Sequence, residues 1–266
     1  MRPTATARTD VELDSAWGPE GARELAARSD LLVVIDVLSF STAVDIALSR
    51  GAEIVPGDPL AHHLNAVAAA QGAILAGRRA SGGYTLSPAS LQTISAGTRL
   101  LLPSPNGSAI SAELAKTGKP VMLASFRNAA AAAEAARRLG ARIGVVLAGE
   151  LMPGGRVRRS EEDWLGLGAL ARALMVDGKG VRLCEDARRA IAEFTPVASA
   201  LPALLAETQS GRELIAADYP DDVRLAAMLD ASDTVPLLEN GVFKAWSRLG
   251  TGASRQPAIP LRLPLK

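Results

Sequence analysis

The side chains able to do chemistry in this chain gather where apolar runs end. "LLVVIDVLSFSTAV", residues 31–44, places Asp36 after an aliphatic run, with Ser39, Ser41 and Thr42 close behind. A lone carboxylate closing a buried run has few structural uses, so Asp36 is the first candidate for a functional role. Later runs end alike, in "GRRASGGY", "SPNGS", "SFRN" and "GELMPGGRVRRSEED". Three kinds of group collect there. The carboxylates are Asp36, Glu150, Glu161, Glu162 and Asp163. The cations are Arg78, Arg79, Arg127, Arg156, Arg158 and Arg159, and helix-starting oxygens and amides come from Ser41, Ser108, Asn128 and Ser160.

That mixture suits a phosphorylated ligand held together with a divalent metal. Helix N-termini offer unpaired N–H groups and a positive dipole end to an anion. Arginine adds paired donors to phosphate oxygens, and carboxylates and hydroxyls are the hard ligands that Mg²⁺ takes. A metal there would orient a water and offset charge building on a phosphoryl group. Each residue also has a structural reading. Ser41, Ser108 and Asn128 are candidate helix caps, Asn106-Gly107 is a turn signal, and Ser160-Glu161-Glu162-Asp163 reads as a capping box.

An alternation of strand-like and helix-like runs must position these groups. "LLVVIDV", "AEIVP", "AILAG", "TRLLLP", "VMLAS" and "RIGVVLAG" are each followed by a helix-like segment, with Ser41 and Pro59 as candidate starts of two of them. Near-continuous apolar strands predict a largely parallel or mixed sheet covered on both faces, a three-layer α/β/α fold. In open sheets of this kind ligands sit beyond the carboxyl ends of the strands. Past about residue 180 the strands stop and short helices follow, with "NGVFKAW" as a last edge strand. The expected organisation is one α/β domain over residues 10–250 with tails at 1–9 and 251–266. The helical part packs on the same sheet or forms a separate unit.

Composition narrows the classes. Hydrophobic residues make up 48% and aromatic residues only 3%, so the core is Ala, Leu and Val. A net charge of +1 with both signs interspersed leaves no footprint for nucleic acid or anionic lipid. Cys184 is the only cysteine, which rules out a disulfide framework. No run approaches the ~18 apolar residues of a spanning helix, and the expected location is cytoplasmic. "GLGALA", Gly166 to Ala171, lies inside a helix-like run and reads as packing rather than a dinucleotide loop. His62 and His63 are adjacent and lack the spacing of a metal pair. Leu38 stands where an aspartyl-phosphate route needs a second acid.

Taken in order, the strand endings resemble the 2-phosphosulfolactate phosphatases, the magnesium-dependent phosphatases of coenzyme M synthesis. "VVIDVLSFSTAV" is similar to that family's "IDVLRATTTI", and "SPNGSA", "ASFRNAAAAA", "AGELMPGGRVRRSEEDWLGLGAL" and "QSGRELIAADYPDDVRLAA" continue the likeness over roughly residues 30 to 245. The resemblance implies an Mg²⁺-dependent hydrolase of a small phosphorylated acid. Asp36, Glu162 and Asp163 would hold the metal, and Glu150 would serve with Asp36 in catalysis. Ser41, Thr42, Asn106, Gly107, Ser108, Arg127 and Asn128 would hold the substrate. Ser39 replaces the family's Arg, Arg78 stands for its Glu, and Thr85 for its Asp. Exchanging acids for an arginine weakens a cation site, so a non-catalytic phosphate-binding protein is the alternative. A homodimer is left open.

Overall fold

The apolar runs form strands buried on both faces. The computed structural model describes residues 10–176 and 180–247. In chain order the first elements are β1 (Val11–Trp17), α1 (Gly18–Arg28), β2 (Leu31–Ile35), α2 (Phe40–Ser49), β3 (Glu53–Gly57), α3 (Leu64–Ala70) and β4 (Ile74–Leu75). Next come α4 (Pro88–Leu91), β5 (Arg99–Pro103), α5 (Gly107–Ala115), β6 (Val121–Ala124), α6 (Ala129–Leu139), β7 (Arg142–Leu147), β8 (Glu150–Leu151) and β9 (Val157–Arg158). The chain continues through α7 (Glu161–Leu174), β10 (Val181–Leu183), α8 (Glu185–Val197), α9 (Leu201–Glu207), α10 (Gln209–Ala216), α11 (Pro220–Ala226), β11 (Pro236–Glu239) and β12 (Val242–Ala245). The expected tails, 1–9 and 251–266, lie outside the described residues.

β2 shows why its sequence is continuously apolar. Side chains alternate across a strand, and here both sides are covered. Leu31, Val33 and Ile35 join one core with α6, α7 and α8, while Leu32 and Val34 join another with α1, α2 and α5. The fold is therefore a three-layer α/β/α arrangement. Gly166 and Gly168 are packing residues. A Cβ at Gly168 would lie 2.3 Å from the Ala190 carbonyl, so the glycine lets α7 approach α8.

Among the described residues ten strands form one sheet in the order β10-β1-β7-β2-β6-β11-β12-β3-β5-β4, with β8 and β9 as a separate ribbon. Two parallel sets, β10-β1-β7-β2-β6 and β3-β5-β4, are joined by the antiparallel hairpin β11–β12. This corrects the expectation for "NGVFKAW". β12 is an interior strand, because β6 and β3 would each expose a row of unpaired N–H and C=O groups without the hairpin. Strands do not stop near residue 180 either, since β10 pairs with β1. α3 begins at Leu64 rather than at Pro59, and His62 and His63 precede it, both exposed.

The late helices share the core of the first layer through Leu201, Leu205, Val223 and Ala226. One helical stretch, Glu185–Glu207, has the length and apolar content of a membrane span by composition alone. A 3-10 turn at Ala198–Ala200, just after Pro196 in the last turn of α8, breaks it, and Ala187, Ala190 and Phe194 are buried in the core of the sheet layer.

Candidate active site

Asp36 leaves β2 and lies between two helix starts. Its Oδ2 accepts from the Gly107 N–H at 2.7 Å and its Oδ1 from the Phe40 N–H at 3.2 Å. These are the first residues of α5 and α2, whose unpaired donors and dipoles favour an anion. Four strands lie between β2 and β5 in the sheet order, yet α5 crosses back to touch β2. Position 107 tolerates only glycine at this separation. A Cβ there would sit 2.7 Å from both Cβ and Oδ2 of Asp36.

The same turn anchors a third strand ending. Asn106 donates through Nδ2 to Glu150 Oε2 at 3.0 Å and accepts from the Leu151 N–H at 3.0 Å, which fixes the β8–β9 ribbon against the Asp36 crevice. Behind it, Asp163 gathers the Val37 N–H at 2.8 Å, the Gly149 N–H at 2.9 Å and the Ser160 hydroxyl at 2.7 Å. Asp163 thus ties the end of β2 to the end of β7. The capping box does not form, since the Ser160 hydroxyl donates to Asp163 and makes no cap to the α7 backbone. Glu162, also buried, is hydrogen-bonded by Ser210 of α10.

Four acids therefore act on one another. Burial pushes Asp36 up to about 6; the Gly107 and Phe40 N–H groups oppose this, and the charges of Glu150 and Glu162 add to it. Burial, then Asp36 and Glu162, raise Asp163 well above the carboxylate range. Burial raises Glu162 too, against the Ser210 hydrogen bond and the nearby Arg158 charge. Hard oxygens crowded with excess negative charge suit a divalent cation in kind. Among the described residues no three such side chains form a ready-made metal group. Mg²⁺ needs none, as it usually takes one or two carboxylates and completes its shell with water and substrate oxygens. Asp163 Oδ2 already accepts two donors, which leaves Asp36 and Glu162 better suited as ligands.

The remaining sequence candidates have other partners. The Ser41 hydroxyl accepts from the Asp36 N–H at 3.0 Å and donates to Val34, so it braces the Asp36 backbone rather than capping α2. Thr42 donates to the Val37 carbonyl at 2.8 Å, and Ser108 links the Gly57 N–H to the Leu102 carbonyl. Arg127 pairs with Asp45 at 2.7 Å and donates to the Leu225 carbonyl. Asn128 closes a local cap with Ser125 and donates to the Thr234 carbonyl at 2.9 Å. Such bonds satisfy buried backbone groups. The structure brings Asp36, Asn106, Gly107, Glu150, Glu162 and Asp163 together, and it does not bring the Thr42, Ser108, Arg127 or Asn128 side chains to that group.

Sequence reasoning missed a second network on the other flank. Arg79 donates to the Ser39 hydroxyl at 2.7 Å, pairs with buried Asp222 and lies 5.2 Å over the Tyr219 ring. Asp222 in turn accepts from the Ser87 hydroxyl at 2.5 Å and the Ala89 N–H at 3.1 Å. Ser39 and Arg79 stand among the groups named at the strand endings, but Asp222, which lies in "DYPDDVR", was not singled out as their partner. Thr85 is buried, with its hydroxyl 3.1 Å from the Ser87 N–H, and Arg78 is exposed.

Fold and crevice together define an α/β protein whose acidic site forms where strand ends meet helix starts. The chain belongs to the 2-phosphosulpholactate phosphatase family, whose model matches residues 19–241.

Proposed function

We propose that this protein is a magnesium-dependent phosphatase acting on a small acidic phosphate monoester similar to 2-phosphosulfolactate. Family membership supports the reaction class. The observation that carries the site is the Asp36 carboxylate, held at the starts of α2 and α5 within electrostatic reach of Glu150 and Glu162. Asp36 and Glu162 would hold Mg²⁺, which supplies Lewis-acid charge neutralisation at the phosphoryl oxygens. Asn106 orients Glu150 through Oε2, and Oε1 takes no protein donor among the described residues. Glu150 is therefore placed to take a proton from a water that attacks phosphorus. The water oxygen bonds to phosphorus, the ester oxygen leaves with its electron pair, and that alkoxide takes a proton from solvent. Asp163 touches no substrate in this scheme; it holds the two strand ends in register.

Phosphate release from a panel of small acidic phosphate esters tests the reading. Turnover is expected with Mg²⁺, lost with chelator, and reduced about 10³-fold or more by Asp36→Asn. No metal-dependent turnover across the panel would sink it.

A further inference from the structure

The β8–β9 ribbon pairs Glu150 with Arg158 directly across its antiparallel ladder. Opposite residues of such a pair project from the same face. One side of the ribbon therefore carries the carboxylate bound by Asn106 and, beside it, a guanidinium. Arg158 is set apart from the other arginines of the strand endings. Arg79 is paired with Asp222 and Arg127 with Asp45; Arg159 lies over the Trp17 ring; Arg78 and Arg156 are exposed. The Arg158 Nε is buried with no hydrogen-bond partner, and no carboxylate among the described residues comes within ion-pair distance of it. Its closest polar contact is a long one, from Nη2 to the Ser210 hydroxyl at 3.5 Å. Ser210 itself bonds to Glu162, whose carboxyl feels the Arg158 charge, so the guanidinium borders the acid crevice and offsets part of its charge without forming a direct ion pair there. A buried charged donor left unpaired costs more than a neutral one, and a ligand oxyanion would remove that cost.

We propose that Arg158 is the specificity-determining residue of the crevice, and that its guanidinium binds a second oxyanion carried by the phosphate ester. The inference rests on the phosphatase reading for its substrate class but not for its test. Two probes differ only at the group in question: 2-phospholactate, and isopropyl phosphate with a methyl in place of the carboxylate. The wild type is expected to favour 2-phospholactate in kcat/KM. Arg158→Met should lower kcat/KM for 2-phospholactate roughly 10- to 100-fold, mainly through KM, and leave isopropyl phosphate nearly unchanged. Arg158→Lys should recover part of the preference, because lysine keeps the charge but loses the paired donors.

Thermal shifts measured with the same two esters in chelator read binding without turnover. There 2-phospholactate should stabilise the wild type more than isopropyl phosphate does, and the difference should vanish in Arg158→Met. An Arg158-dependent shift without phosphate release would support this assignment while removing the hydrolase reading. Equal behaviour of the two esters with the wild type, or unchanged discrimination in Arg158→Met, overturns it. Should Arg158→Met fail to fold, unchanged discrimination in Arg158→Lys overturns it equally.

Discussion

Asp36 does two tasks that pull in opposite directions: it starts two helices as an anion, and it is buried where an anion is costly. Its proton affinity records the outcome, about 6 against an ordinary 3.8. Between those values the folded chain binds a proton that the unfolded chain has released. The resulting stability is present below about pH 4 and is lost as pH rises through 6. At roughly two pH units the loss approaches 3 kcal/mol. In chelator, urea midpoints should therefore fall from pH 4 to 7, and Asp36→Asn should flatten that fall. Some slope will remain, because Glu162 and Asp163 are raised in the same sense. An identical slope in the variant would remove Asp36 from the explanation. Its neighbour offers a steric test. Gly107→Ala drives a methyl into Asp36, and overpacking of this kind costs about 1–3 kcal/mol. Loss of activity should accompany it, because the methyl displaces the carboxylate itself.

At the scale of elements, similar residue types do different work depending on what their strand endings face. Asp163→Ala strips the acceptor from the Val37 and Gly149 N–H groups, and each buried unmet donor costs about 1–3 kcal/mol. The variant should be destabilised, with faster hydrogen exchange at Val37 and Gly149, while α11 and the hairpin stay protected. Arg127 looked much like a phosphate ligand in sequence, yet Arg127→Ala leaves buried Asp45 without its partner. Breaking a buried pair costs about 3–5 kcal/mol. Any Arg127→Ala protein that folds should keep the wild-type KM, whereas a phosphate ligand would raise it. This is why the site was only partly legible. Caps and anion sites use the same serines, asparagines and arginines, and only tertiary packing decides between them. The Asp36, Asn106-Gly107 and Glu150 endings could be read correctly as one place, since each follows an apolar strand. Arg79 and Asp222 could not, as they are 143 positions apart and no local pattern links them.

The whole molecule depends on a late segment that the sequence presents as marginal. The parallel strands were legible because burial on both faces leaves long apolar runs, as in β2, β5, β6 and β7. The hairpin was not recognised as interior, because β11 and β12 are four residues each and carry Glu239 and Lys244 among their apolar positions. Yet it pairs with β6 on one side and β3 on the other, so it joins the two parallel sets into one sheet. Phe243 also reaches the start of α2, where its ring meets Phe40 edge-on at 6.1 Å, four residues from Asp36. Truncating this fully buried ring in Phe243→Ala should cost about 3–5 kcal/mol. Because the lost contact supports α2 where it begins, turnover by the folded fraction should fall as well. A chain ending at Leu229 should go further and give no cooperative unfolding transition, since it leaves β6 and β3 as open edges with no strand between them. Circular dichroism melts of the truncated chain decide the point: a sharp transition near that of the full chain would show that the two sets fold without the hairpin, and that the crevice between them is assembled by α5 alone.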